Sequence, residues 1–170
     1  SSPEPSLSDD QSDASAPLAA PTAPAPTAPA PVGPSAQTVV LQEANPRVTG
    51  VVYPRPDYDG DPWSQWGQGV VLPDGRVISA IGDHLGRGGN SFIFVFDPAT
   101  GVMTRVADVA DSLNHPAESW GFGKVHGQMV LGEDGDVYFS TYWGSRRGLE
   151  FDDAYQGDML LRMNTDSHAL

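Results

Sequence analysis

Apolar positions in this chain come in short runs of β-branched and aromatic residues, broken by Gly, Pro, Asp and Asn. Thr38–Leu41 and Val48–Tyr53 predict two short strands, the second stopped by Pro54 and Pro56. Gly69-Val70-Val71-Leu72 predicts a strand, Pro73-Asp74-Gly75 a tight turn with glycine at positive φ, and Arg76–Ile81 the return strand. A glycine-rich loop follows, from Gly82 to Asn90. Phe92-Ile93-Phe94-Val95-Phe96 is then a continuous apolar run, the mark of a strand covered on both faces. Asp97–Gly101 turns the chain, and Val102–Val106 returns it. The only helical window is short, Val109 to Leu113.

The same pattern recurs downstream. Gly67-Gln68 corresponds to Gly127-Gln128, Val70-Val71 to Val130-Leu131, Asp74-Gly75 to Asp134-Gly135 and Val77 to Val137, all 60 positions apart. Phe92–Asp97 corresponds to Met159–Asn164, 67 positions apart, which predicts an insertion between Trp143 and Gly157. Four strands per unit at this spacing predict an all-β fold, a β-propeller with about two four-stranded antiparallel blades. The blades are expected over 67–108 and 126–170 of a partial propeller domain spanning 37–170. About four to eight blades usually close a ring. The expectation is therefore a fragment, with the fourth strand of the second blade wanting at Leu170.

Composition changes the picture at the N-terminus. Residues 1–36 are mostly Ser, Pro, Ala and Thr, with little to bury and few backbone donors between the prolines, so a disordered, extended linker is expected. The formal net charge of −13 argues against nucleic acid and anionic membrane surfaces as partners held by bulk electrostatics. The absence of cysteine excludes disulfides and thiolate metal sites. No apolar run reaches the length of a membrane span.

Leu72-Pro73-Asp74-Gly75-Arg76-Val77-Ile78 and Val95-Phe96-Asp97-Pro98-Ala99-Thr100-Gly101-Val102-Met103-Thr104 resemble blade motifs of bacterial extracytoplasmic propellers. This is the group with YVTN, quinoprotein, streptogramin-lyase and gluconolactonase-like repeats. The resemblance covers roughly 67–170 and rests on turn chemistry. It implies a secreted, periplasmic or cell-surface protein. The Pro/Ala spacer is similar to the tether of secreted bacterial lipoproteins, which implies a lipid anchor upstream of Ser1. The resemblance carries no catalytic motif and names no cofactor.

Strand alternation places the long loops 82–91, 109–124 and 143–156 on one face and the tight turns on the other. Long loops on a rigid scaffold are where binding residues gather. The candidate ligand-binding residues are Trp143, Arg146, Arg147, Lys124, His126, His84 and Asn90. Trp143 offers a stacking surface and the arginine pair a grip on carboxylate or phosphate, although local pairing with Glu150, Asp152 and Asp153 competes. Trp66-Gly67 and Trp120-Gly121 read as packing. His126 is the candidate acid, base or ligand of a catalytic centre. His84, His126 and Asp83 are a conceivable metal set, weakened by the tryptophan, Trp66, standing 60 positions before His126. Asp57-Tyr58-Asp59-Gly60-Asp61 is not an EF-hand, because glycine falls fourth rather than sixth and Gln68 stands twelfth. The leading expectation is a module that binds a polar or anionic small molecule or a carbohydrate. The alternatives are a lyase or lactonase-type enzyme using His126, and a protein-interaction scaffold.

Overall fold

The computed structural model describes residues 36–42, 45–116, 119–144 and 157–170, which hold nine strands and one short helix. β1 (Gln37–Gln42) and β2 (Val48–Val52) form an antiparallel hairpin. Its apolar residues Val39, Val40, Leu41, Val48 and Val52 are exposed. Four strands then form one antiparallel sheet in chain order: β3 (Val70–Val71), β4 (Val77–Gly82), β5 (Ser91–Asp97) and β6 (Val102–Asp108). Helix α1 (Val109–Ser112) follows, and Asp108 caps it by accepting from the Asp111 amide at 3.1 Å. A second antiparallel sheet contains β7 (Val130–Leu131), β8 (Val137–Ser140) and β9 (Leu160–Met163). The chain is all-β, and no described helix is long and apolar enough to cross a membrane.

The turns form as their residues dictate. Leu72 N–H donates to the Arg76 carbonyl and Gly75 N–H to the Leu72 carbonyl, with Gly75 at φ 91°. Asp74 accepts from the Arg76 amide at 3.0 Å, and that bond holds its carboxyl below the usual carboxylate range. The second hairpin has the same bonds at Gly132, Asp136 and Gly135, with Asp134 accepting from the Asp136 amide. At the other turn Asp97 accepts from Ala99 N–H and Thr100 Oγ1.

The pairings of the two sheets correspond. Val77 faces Phe96 and Ile78 faces Val95 in the first; Val137 faces Met163 and Tyr138 faces Arg162 in the second. These pairs stand at the separations of 60 and 67 read from the sequence. Side chains alternate across a strand, so β5 presents Phe92 and Phe94 to one side and Ile93 and Val95 to the other. Ile93 and Val95 join Ile78, Ala80 and Val106 in a core shared with Val137, Phe139, Leu161 and Met163 of the second sheet. Phe92 and Phe94 are covered instead by Tyr58 and Tyr53, packed edge-on at 5.2 and 5.1 Å. The first sheet is thus a middle layer, which explains the uninterrupted apolar run of β5. Each fully buried Phe, Ile or Val contributes about 1.5–3 kcal/mol.

The second sheet is buried on one face only. Leu160 and Arg162 lie on its other side, exposed, and Arg162 reaches over to buried Asp136, which also accepts from Asn164 Nδ2 at 2.9 Å.

The sheets meet backbone to backbone at one end. A Cβ on Gly67 would overlap the Gly127 carbonyl oxygen, one on Gly82 that of Gly123, and one on Gly121 that of Gly89. Met129 N–H donates across the seam to the Gln68 carbonyl at 3.0 Å. Gly121→Ala is therefore expected to cost about 3 kcal/mol, the upper range for overpacking. Gly101→Ala, at φ 72° with open space around it, should cost only about 1–2 kcal/mol. Urea unfolding of the two variants checks the order, and equal losses would contradict the seam.

Candidate functional site

Both hairpins continue past their strands toward the glycine seam. Trp63 N–H donates to the Gly82 carbonyl at 3.1 Å, and Ser64 bridges Gly82. Sixty positions on, Lys124 and Tyr142 exchange backbone hydrogen bonds at 3.1 and 2.8 Å. The loops then bond across the seam. Asp83 N–H donates to the Gly123 carbonyl at 2.8 Å, Gly86 N–H to that of Gly144 at 2.7 Å, and Gly121 N–H to that of Gly86 at 3.0 Å. The predicted gathering of these loops is observed for 82–91, 119–124 and 143–144.

This backbone arrangement lines up a row of rings. Trp63 stands edge-on to Trp66 at 5.2 Å, and His84 lies 4.6 Å from Trp66. Trp66 stacks with His126 at 6.3 Å and an interplanar angle of 11°. His126 lies 5.0 Å from Tyr142, which stacks on Trp143 at 5.6 Å; Trp143 meets Trp120 edge-on at 6.4 Å.

Lys124 is set into this row. Only 7% of it is exposed, and its Nζ lies 4.1 Å from the Trp66 ring centre and 5.4 Å from that of Tyr142. No carboxylate ion-pairs with it among the described residues. The ring faces supply the attraction that would otherwise come from a carboxylate, about 2 kcal/mol when desolvated. Burial nevertheless holds the Lys124 ammonium below its ordinary value of 10.5.

The remaining sequence-based candidates divide. His126 is exposed, and its ring neighbours are Trp66 and Tyr142. His84 faces Trp63 and Trp66. Each imidazole packs on Trp66, and among the described residues no group of three or more His, Asp or Glu gathers to hold a metal, so Asp83, His84 and His126 do not converge as a ligand set. Asn90 differs from its expected binding role. It is 5% exposed; its Nδ2 donates to Asp108 at 2.7 Å and its Oδ1 accepts from Ser91 and Ala110 N–H at 2.8 and 3.0 Å. Those bonds tie β5 to the start of α1 and leave the side chain to the fold. Arg146 and Arg147 lie outside the described residues. His115 is likewise structural, bonding the Trp120 carbonyl through Nε2 at 2.7 Å and packing on Phe122.

Trp66, expected to pack, does so: it is half-buried and touches Lys124 and both imidazoles. Two members of the row were not foreseen, Tyr142 and Trp63. Tyr142 carries the far side of the lysine. Trp63 is 54% exposed at the start of the row. The available signal was position: Ser64 and Trp66 sit 60 residues before Lys124 and His126, ahead of β3 and β7 respectively.

Comparison with known protein families, with curated proteins and with solved structures gave no match for this chain.

Because the folded state binds the Lys124 proton less tightly than the unfolded chain does, the burial cost is full at low pH. It is relieved as pH rises through the folded value toward 10.5. Tyr58 acts in the opposite sense: burial first, then the Asp83 charge, pushes its phenol above 10.0, so its contribution falls only as pH rises past that value. As pH rises toward 10.5 from below, wild type should therefore gain stability relative to Lys124→Met. Urea unfolding across that window checks this, and parallel curves would contradict it.

Proposed function

We propose that this chain is part of an extracytoplasmic β-propeller, with blades at 67–108 and 126–170, that binds an acidic carbohydrate or a similar anionic polar ligand at the ringed end of the two sheets. The blade reading is supported by two antiparallel sheets with corresponding hairpins, stacked through one core. The extracytoplasmic reading rests on the turn phrases and on the Pro/Ala spacer at 1–36.

One observation carries the binding reading. Lys124 is a nearly buried ammonium on the faces of Trp66 and Tyr142, without an ion-paired carboxylate among the described residues. A cation held by rings alone retains its capacity for charge-assisted hydrogen bonds. The adjoining faces of His126, Tyr142 and Trp143 are flat, partly exposed surfaces on which a sugar ring stacks. Net charge −13 disfavours anions at long range, so the interaction is short-ranged and selective rather than steered.

The test is calorimetric titration of the full chain with neutral and uronic-acid oligosaccharides. A uronic-acid oligosaccharide should bind saturably. Tyr142→Ala, which removes an exposed ring, should weaken it about tenfold, a loss of about 1.4 kcal/mol. Lys124→Met should abolish the preference for the acidic over the neutral sugar. Failure of every sugar to bind, or affinities unchanged in both variants, would sink the reading.

A further inference from the structure

The end of the β1–β2 hairpin opens onto a cleft of about 330 Å³, lined by Val52, Tyr53, Arg55, Pro62, Trp63 and Ile81. That volume falls within the range of ligand-binding clefts, about 300–1,000 Å³. Val52 and Trp63 are 48% and 54% exposed, whereas Ile81 is buried. The Tyr53 ring stands edge-on to Phe94 at 5.1 Å, and its hydroxyl is bonded to Gln65 Oε1 at 3.1 Å and Ser79 Oγ at 2.8 Å, so the ring is held in place. Arg55, the cation of the lining, is paired with Asp61 at 3.3 Å. The cleft therefore offers a ligand an apolar surface with two aromatic rings. Gln37 faces Val52 at the last pair of the hairpin ladder, about 5 Å apart, so Ala36 and the chain joined to it begin at the rim of this cleft. Joined to Ala36 through Ser35 are residues 21–34, which contain Pro21, Pro24, Pro26, Pro29, Pro31 and Pro34 and no charged residue. They lie outside the described residues.

We propose that this cleft binds a proline-rich segment of the chain itself, residues 21–34, with proline rings laid against Trp63 and Tyr53. Proline-rich segments dock in aromatic-lined grooves because proline fixes φ and leaves little conformational entropy to lose on binding. Prolines three apart fall on one edge of such a segment, and Pro26 and Pro29, or Pro31 and Pro34, meet that spacing. Pro34 and Pro31 stand two and five residues before Ala36, roughly 6 and 16 Å at about 3.1 Å per residue, so the cleft is within reach. The neutrality of the segment suits its surroundings. A net charge of −13 repels anions, and an uncharged segment meets no such penalty. A small carboxylate fits less well, because Arg55 is already paired with Asp61. Attachment to β1 makes the encounter intramolecular, at an effective concentration of about millimolar for a short flexible connection, so individually weak contacts suffice. Docking covers the indole of Trp63 and the side chain of Val52, both of which the hairpin leaves open.

The test is NMR of the full chain, read at the Ile81 methyl groups and the Trp63 indole N–H. Wild type is compared with a chain in which Pro21, Pro24, Pro26, Pro29, Pro31 and Pro34 are all replaced by Ser, which keeps the segment's length. Both signals should shift between the two chains. A synthetic peptide of residues 21–34, added to the serine-substituted chain, should return them to their wild-type positions saturably, with a Kd of about 10 mM or tighter, as the effective concentration of the tether requires. Trp63→Ala in that chain should weaken the peptide at least tenfold, read at Ile81, whereas Lys124→Met should leave it unchanged, which separates this cleft from the carbohydrate site. Trp63 is half-exposed, so its removal spares the core. Identical spectra of the two chains, a peptide that does not saturate in this range, or full affinity in Trp63→Ala would overturn the proposal. Identical spectra with saturable peptide binding would instead assign the cleft to a proline-rich partner on another chain.

Discussion

Where Gly67 meets Gly127 and Gly82 meets Gly123, no Cβ fits between the two sheets. Everything at that end of the molecule follows from this approach. The shared core of Ile93, Val95, Phe139 and Leu161 presses the sheets together, and the glycines decide how close they come. With the backbones in contact, Asp83 bonds Gly123 and Gly86 bonds Gly144, so both hairpins' outgoing ends are fixed against each other. The rings carried on those ends have no freedom to separate. The row from Trp63 to Trp143 is a consequence of main-chain geometry before it is a matter of side-chain attraction.

That geometry also sorts charge. Lys124, bridged to Tyr142 ahead of β7, ends between the rings of Trp66 and Tyr142. Asp83 directly follows β4 and lies near Tyr58, Trp63 and His84. Lys124 has no ion-paired carboxylate among the described residues, and Asp83 accepts from the Leu85 amide through Oδ1 at 3.0 Å.

The hairpins were legible because their chemistry is local. Asp74-Gly75 and Asp134-Gly135 specify their turns from within four residues, and the separations of 60 and 67 place β8 and β9 correctly before any coordinate is known. The convergence of the loops followed from strand alternation alone. Asn90 was misread because its partner Asp108 lies 18 residues on, across the β5–β6 pair, and polarity in a loop looks the same whether it serves the fold or a ligand. Trp66 was legible as a packing residue, but that its neighbours are Lys124 and His126 depends on how the sheets stack.

Both sheets and the seam between them should unfold as one body. Native-state hydrogen exchange tests this most directly, by comparing the seam amides of Asp83 and Met129 with the central amides of β5. The prediction is that the Asp83 and Met129 amides exchange only through the same global opening as Phe94, with matching dependence on denaturant. If they exchange at loop rates while β5 stays protected, the sheets are not locked together and the ringed end is not a fixed site.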